Sequence, residues 1–358
     1  MTRRSILGVV LGAAALALAL TLPVAAGDWS NWRGPHRNGV SDETGLISSW
    51  SRDGENLIWK AELTSRSRPV VFDGRACVSG RVGEGLLKQE MVACFDAGTG
   101  EKLWERRFPV FNTTVPFTRV GWASLAGDPE TGYVFAQNVD GHFLALDRKG
   151  QTVWHRRLGE QFGRASGYGG RTLVPLVEGD RVIVGVVGAG WGDNAAPRQR
   201  YMAFDKRTGV VRWVSTPGQV MFLDANNNGS PTVGTVDGRR MVVGGGADGW
   251  VHAIDAGTGE PLWRFNLSER GLNVPPLLKD GVVYAAHSEE TVDTPGLMGR
   301  VVALDPSGRG DVTASAEVWR ANGLGVGFAS PTAVGSHLFL VGNSADLHAL
   351  DIKSGEPQ

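Results

Sequence analysis

One short motif recurs six times along the chain and constrains the fold more than any other feature. In each copy an apolar run ends in an Asp, a Gly follows three or four residues later, and four copies have a Trp four residues after that Gly. The six aspartates recur at intervals of 46 to 58 residues: Asp96, Asp147, Asp205, Asp255, Asp305 and Asp351. A period of this length indicates one supersecondary unit per repeat, and such units bury a core only by packing on their neighbours.

The parts of the motif have separate physical roles. Alternating apolar residues before the Asp indicate a half-buried strand. The Asp carboxylate can accept backbone N–H groups within the turn that follows, and the Gly tolerates a positive φ. The Trp then falls on the next strand, where its large face can pack. The docking tryptophans predicted in this way are Trp59, Trp104, Trp154, Trp213, Trp263 and Trp319.

A single four-stranded sheet cannot cover such a Trp, whereas sheets arranged radially can. The sequence therefore predicts an all-β fold, a β-propeller of four-stranded antiparallel blades. The repeated unit resembles the tryptophan-docking motif of the PQQ-like propellers. That group includes quinoprotein alcohol dehydrogenases and the propeller lipoprotein of outer-membrane barrel assembly. The resemblance covers roughly residues 57–358, and residues 28–41 are similar to the segment that precedes the propeller in bacterial PQQ-like proteins of unassigned function.

The number of blades depends on how the ring closes. Residues 57–63 look like an outer strand carrying Trp59, with no blade before them, and the last unit lacks its Trp strand. We expect six blades, with this N-terminal strand completing the last one so that no sheet edge stays unpaired. The alternative is a truncated propeller of seven or eight blades. The expected domains are a signal peptide at 1–26, a lead-in segment at 27–56 and the propeller at 57–358.

The N-terminus indicates export. Arg3 and Arg4 precede an apolar run from Ile6 to Leu20, and small residues near Ala26 suit signal cleavage. Export by the general secretory route and by the twin-arginine route both stay open. We expect a periplasmic or secreted protein that is not an integral membrane protein after cleavage. In that oxidising compartment, Cys77 and Cys94 form either a local disulfide or two buried small hydrophobic groups.

The charge balance excludes one class of partner. The chain has 36 basic and 37 acidic residues and a formal net charge of -1, so it has no electrostatic footprint for nucleic acid. An envelope protein or a glycan is the expected partner.

The candidate ligand site is the axial mouth, formed by the loops that lead into the innermost strands. These loops supply aromatic rings, one cation and small polar groups, which suit a planar or sugar-like ligand. The same residues could instead pack the ring and cap strand ends. The residues predicted for this site are Trp122, Ser124, Tyr168, Arg171, Asn227, Ser230, Asn273, Phe328 and Ser330.

The resemblance to quinoprotein dehydrogenases also implies PQQ with Ca²⁺, a catalytic Asp and a disulfide between adjacent cysteines. Here Cys77 and Cys94 are 17 positions apart, and no catalytic Asp or calcium ligand of that family can be placed on this sequence. Asp224, Asn226 and Asn228 match the first half of a calcium loop, but the twelfth position is Thr235 instead of Glu. An Asn-rich turn forms equally well without metal.

Two functions follow from these observations. The first is a non-catalytic binding or scaffolding module of the cell envelope, since the repeats are complete and no catalytic set is identifiable; the catalytic residues stay unknown. The second is a PQQ-dependent oxidoreductase that acts on an alcohol or a sugar.

Overall fold

A computed structural model describes residues 27–52, 54–110, 115, 117–162, 172–188, 198–218, 229–288 and 298–358. The predicted signal peptide, residues 1–26, lies outside these residues. The described part is almost entirely β, with one short helix, α1 (Leu158–Phe162), and two 3₁₀ turns at Gly85–Leu87 and Phe117–Arg119.

The strands form six consecutive sheets. The first sheet contains β1 (Val70–Phe72), β2 (Arg75–Val82), β3 (Gln89–Asp96) and β4 (Lys102–Pro109). The second contains β5 (Ala126–Asp128), β6 (Tyr133–Gln137), β7 (His142–Leu146) and β8 (Thr152–Arg157). The third contains β9 (Leu176–Glu178), β10 (Arg181–Gly188), β11 (Arg198–Asp205) and β12 (Val211–Ser215). The fourth contains β13 (Thr232–Val236), β14 (Arg239–Gly245), β15 (Trp250–Asp255) and β16 (Pro261–Asn266). The fifth contains β17 (Leu277–Lys279), β18 (Val282–His287), β19 (Arg300–Leu304) and β21 (Glu317–Asn322), and the sixth β22 (Thr332–Val334), β23 (His337–Val341) and β24 (Leu347–Asp351).

The sheets are radial blades, as the repeats predict. Within each sheet, neighbouring strands of the blade are antiparallel, and the first strands of successive sheets contact one another: β1 with β5, β5 with β9, and β13 with β17. These first strands therefore surround a common axis. The apolar core lies between adjacent sheets; Phe135 and Phe143 of the second sheet, for example, pack with Val182 and Phe204 of the third.

Tight turns connect the first two strands of several blades. Asp73-Gly74, Asp237-Gly238 and Asp280-Gly281 each have both φ angles positive, between 49° and 79°. This is the geometry of a type I′ hairpin turn, whose twist matches that of the flanking strands.

The repeat motif links each blade to the next. Oδ1 of Asp96 accepts the backbone N–H groups of Gly98 and Thr99 and the Thr99 hydroxyl, and the same pattern recurs at Asp205 and Asp255. The Trp of one sheet docks on this turn in the following sheet. The indole N–H groups of Trp104, Trp154, Trp213 and Trp319 donate to the carbonyl oxygens of Arg148, Lys206, Ala256 and Ile352.

Trp263 departs from this pattern. The turn that follows Asp305 is longer, and its residues form an extra strand, β20 (Gly310–Asp311), which pairs in parallel with β16 at Trp263. The indole N–H of Trp263 has no hydrogen-bond partner among the described residues, although the side chain is only 3% exposed.

The expected closure by residues 57–63 is corrected by the structure. The last sheet has three strands, and the edge of β24 is taken by the chain that follows it: Leu350 bridges Pro357, and the Gln358 N–H donates to the Ala349 carbonyl at 2.9 Å. Residues 57–63 form no strand there. Trp59 nevertheless docks on the turn of the first sheet, donating to the Ala97 carbonyl at 2.8 Å, as the Trp of a preceding blade does. The total blade number therefore stays a prediction.

The two cysteines form a disulfide. Cys77 on β2 and Cys94 on β3 face each other at the same register and are fully buried between the first and second sheets. Among the described residues, no helix is both long enough and apolar enough to span a membrane.

Candidate functional site

The lead-in segment runs along the free edges of the innermost strands. Trp29 forms an antiparallel bridge with Val71 of β1, with N–H···O distances of 2.6 and 3.0 Å. The carbonyl of Ser30 then accepts the N–H of Gly127 on β5 at 2.8 Å. Because these strand edges face the axis, the segment fills part of the central channel with backbone hydrogen bonds.

Two arginines of the same segment reach other blades. Arg33 donates through Nη2 to the carbonyl of Pro331, at the start of the sixth sheet. Arg37 donates to the carbonyl of Val177 on β9 and pairs with Glu178. Residues 29–37 therefore touch four of the six sheets, and the channel is occupied by the chain itself.

Arg33 is a buried cation. Arg33 is only 5% exposed, and its Nε and Nη1 have no hydrogen-bond partner among the described residues. Burial, and next the charge of Arg68, lower the pKa of Arg33 to about 10. The guanidinium groups of Arg33 and Arg68 lie 5.7 and 5.6 Å from the ring centroid of Trp32, within cation–π distance. This part of the channel is therefore strongly electropositive.

A cavity of about 350 Å³ opens at the axial mouth, next to Trp32. The structure brings together in its lining all the predicted mouth residues that it describes: Trp122, Ser124, Ser230, Asn273, Phe328 and Ser330. Tyr168, Arg171 and Asn227 lie outside the described residues, as do the predicted calcium ligands Asp224, Asn226 and Asn228.

Two of the lining residues hold the ring together. The Ser124 hydroxyl accepts the backbone N–H of Arg68, which precedes the first sheet, and the Ser230 hydroxyl accepts that of Val174, which precedes the third; both distances are 2.9 Å. Each Ser therefore links the start of its own blade to the start of the preceding blade. Ser124 and Ser230 have a structural role whether or not a ligand binds.

The position of Trp122 depends on a buried carboxyl group. Gly121, with a φ of +69°, donates its N–H to Oε1 of Glu90 at 3.1 Å, and Oε2 accepts the N–H of Val139 at 3.0 Å. Glu90 is 2% exposed, and burial raises its pKa to about 7 despite these two hydrogen bonds. An added Cβ at Gly121 would lie 2.5 Å from the Gly80 carbonyl oxygen, so the backbone here packs too closely for a side chain.

Sequence reasoning missed four lining residues with polar or aromatic side chains: Trp32, Arg66, Arg68 and Thr172. A signal for two of them was available, because Arg66 and Arg68 lie in the loop before β1, which is equivalent to the loops that supplied Trp122 and Phe328. Trp32 had no such signal, because nothing local indicates that the lead-in segment lies in the channel.

The described residues do not fit PQQ with Ca²⁺. The cavity lining contains two arginines and no carboxylate among the residues that the structure describes, so it offers no anionic oxygen ligand for Ca²⁺. The disulfide lies within the first blade, and neither of its cysteines lines the cavity. No group of three His, Cys, Asp or Glu side chains in the described part of the chain could hold a metal ion.

A buried Ser–His pair lies elsewhere in the fold. The hydroxyl of Ser268 lies 2.7 Å from Nε2 of His287, and the Arg270 N–H donates to the same hydroxyl oxygen. Ser268 and His287 are each only 2% exposed, so no substrate reaches the Ser268 oxygen in this structure. The pair is therefore a buried structural contact.

Comparison with known proteins gives one consistent family. The family model described as outer membrane protein assembly factor BamB matches residues 43–214 and 197–294. The chain is 22% identical over 283 residues to outer membrane protein assembly factor BamB of Shewanella oneidensis, a match covering 68% of this chain and 65% of that relative. The chain thus spans slightly less than two thirds of that relative.

Two solved structures are similar in fold. BamB from Moraxella catarrhalis aligns with a TM-score of 0.50 and 18% identity, covering 83% of this chain and 75% of that one. A europium-containing methanol dehydrogenase aligns with a TM-score of 0.47 and 15% identity, covering 93% of this chain and 84% of that one. At these identities the likeness concerns the fold alone.

Proposed function

Because this chain belongs to the PQQ-like propeller family of outer membrane protein assembly factor BamB, we propose that it is a non-catalytic binding or scaffolding module of the cell envelope. In this proposal the mature protein is exported to the periplasm and takes part in the assembly of outer-membrane proteins. Its axial mouth is the face that meets the partner.

The occupied channel is the observation that supports a scaffold most directly. Trp29, Arg33 and Arg37 fasten the lead-in segment to the innermost strands, so part of the central channel is filled by the chain itself. What remains is an open cavity at the mouth, with Phe328 on its rim 50% exposed. A shallow, aromatic-rimmed depression suits docking, because exposed aromatic groups supply much of the binding energy at protein interfaces.

A site-specific photo-crosslinking experiment tests this function. A photoreactive side chain replaces Phe328 in the full-length protein, expressed in the organism that encodes it. The matched control position is Val318 on β21, which is 55% exposed and lies on an outer strand. We expect position 328, and not position 318, to crosslink to an envelope protein of the outer-membrane assembly machinery. We also expect a strain that lacks the protein to contain reduced levels of outer-membrane proteins.

Two results would overturn the proposal. Equal crosslinking from positions 328 and 318 would remove the axial mouth as the docking face. Reduction of an artificial electron acceptor by the purified protein, in the presence of an alcohol or a sugar, would show that the chain is an enzyme.

A further inference from the structure

The axial cavity concentrates positive charge in a protein whose formal net charge is only -1. Arg66 and Arg68 line the cavity, and the buried Arg33 lies close enough to Arg68 for the two charges to interact. Neither lining arginine forms an ion pair within the described part of the chain. A cleft with one sign of charge attracts ligands of the opposite sign.

A buried hydroxyl provides a second, independent observation. Thr172 lines the cavity, is 5% exposed, and its Oγ1 has no hydrogen-bond partner among the described residues. A buried polar group without a partner costs free energy, so such groups in native proteins call for an explanation. A ligand in the cavity would give this hydroxyl the acceptor that the described residues do not provide.

The remaining lining defines the shape of the ligand. Trp122 and Phe328 present aromatic rings, which favour stacking on a flat or ring-shaped group. A cavity of 350 Å³ lies at the small end of the ~300–1,000 Å³ range of small-molecule sites. A single six-membered ring with its substituents therefore fits.

We propose that the axial cavity binds a carboxylate attached to a six-membered ring, with the carboxylate on Arg66 and Arg68 and the ring between Trp122 and Phe328. Arginine suits this role because its planar guanidinium binds carboxylates through paired hydrogen bonds. The Thr172 hydroxyl donates to a ligand oxygen. The inference rests on the proposed function, which makes the axial mouth the binding site. It deepens that function by naming the ligand chemistry that the mouth recognises.

Calorimetric titration of the purified full chain tests the inference with two ring carboxylates, 4-hydroxybenzoate and glucuronate. Their uncharged counterparts, 4-hydroxybenzyl alcohol and glucose, and the ringless acetate serve as controls. We expect at least one ring carboxylate to bind at least tenfold more tightly than its uncharged counterpart and than acetate, with an affinity that falls as salt is added. Binding of 4-hydroxybenzoate alone would identify an aromatic acid as the ligand, and binding of glucuronate alone an acidic glycan.

Two variants assign the binding to this cavity. R66Q/R68Q should weaken binding at least tenfold, whereas R52Q/R309Q, two exposed arginines outside the cavity lining, should leave it unchanged. T172V removes the unpaired hydroxyl with little change of shape, so we expect threefold to tenfold weaker binding together with an unchanged or higher midpoint of thermal unfolding. A merely structural hydroxyl would change the unfolding midpoint and leave the affinity unaltered.

The inference fails if neither ring carboxylate binds more tightly than its uncharged counterpart, or if R66Q/R68Q binds as the parent does. The proposed function would survive such a result if position 328 still crosslinks to an envelope protein. Conversely, ring carboxylates that bind through Arg66 and Arg68 in the absence of any crosslinked partner would sustain the inference and remove the scaffold function.

Discussion

The indole N–H of Trp154 donates a hydrogen bond of 3.0 Å to the backbone carbonyl of Lys206, which lies 52 residues further along the chain in the next blade. The ring also packs on Gly209 of the same turn. This contact combines burial of a large aromatic face with one satisfied polar group. It shows how neighbouring blades are held together by a motif that is local in sequence.

The contribution of the Trp154 hydrogen bond can be measured by comparison with Trp263. Trp263 is also buried, at 3% exposed against 8% for Trp154, but its indole N–H has no partner among the described residues. W154F removes ring area and also leaves the Lys206 carbonyl without its donor, whereas W263F removes ring area alone. We expect W154F to lower the free energy of unfolding by about 1–2 kcal/mol more than W263F does. Denaturant unfolding of both variants gives the difference. Equal losses would mean that the docking hydrogen bond contributes nothing beyond packing.

In five of the six motifs the Gly that ends the motif lies against a docking Trp, and Gly308 is the exception. At Gly209, φ is +69° and an added Cβ would lie 2.7 Å from the Trp154 ring, whereas at Gly238 φ is +74° with open space around the position. G238A should cost about 1–2 kcal/mol for backbone strain alone. G209A should cost a further ~1–3 kcal/mol because the ring must move. Urea midpoints of the two variants test this. If G238A is as unstable as G209A, the close approach of the ring is not what selects Gly.

Glu90 predicts an unusual pH dependence. Its pKa in the folded protein is about 7, raised from 4.5 mainly by burial, so between pH 4.5 and 7 the folded chain binds more protons than the unfolded chain. The free energy of unfolding therefore falls as the pH rises through this window, by about 2–3 kcal/mol between pH 5 and 8. His142 and His155 act in the opposite sense, because their pKa values are lowered, first by burial, and stability is lost as the pH falls.

The E90Q variant separates these contributions. It keeps both histidines but removes the titrating carboxyl group, so its unfolding free energy should rise from pH 5 to 8 relative to that of the parent. Denaturant unfolding at several pH values gives both curves. Parallel curves would contradict the assignment of the pH dependence to Glu90.

The fold was predictable to the extent that it is encoded locally. Asp205, Gly209 and Trp213 lie within nine residues of one another, and their turn chemistry recurs along the chain, so the strand order and the blades follow from the sequence. The closure of the last blade was not predictable in this way. Residues 57–63 have the pattern of an outer strand, and Trp59 docks as that pattern predicts, but the segment that pairs with the edge of β24 is decided by tertiary packing that the pattern does not contain.

The candidate site was predictable only in part. Trp122 and Phe328 come together because equivalent loops of a radial repeat converge on one axis, which follows from the architecture. The position of Trp32 in the channel depends on contacts such as that of Arg33 with Pro331, which are 298 residues apart. Similarly, Glu90 looks like an ordinary exposed strand residue in sequence, and only the packing of two loops onto it makes it buried.

A buried ion pair joins the second and third blades and gives the last prediction. Nζ of Lys206 lies 2.9 Å from Oδ2 of Asp128, with side chains 4% and 6% exposed. D128L would leave the Lys206 ammonium facing only Glu130, which is largely exposed. We expect this change to lower the free energy of unfolding by ~3–5 kcal/mol, because the buried ammonium loses its buried partner and keeps only the largely exposed Glu130.

The double variant D128L/K206M should recover most of that loss, since replacing both charges with apolar groups removes the desolvation penalty as well as the attraction. The surface pair of Arg320 and Glu317, about a third exposed, serves as the control: E317Q should change stability by less than about 1 kcal/mol. A double-mutant cycle on denaturant unfolding measures the coupling. If D128L and K206M destabilise additively, the two blades are held together by apolar packing and the docked tryptophans, and the ion pair adds no coupling between them.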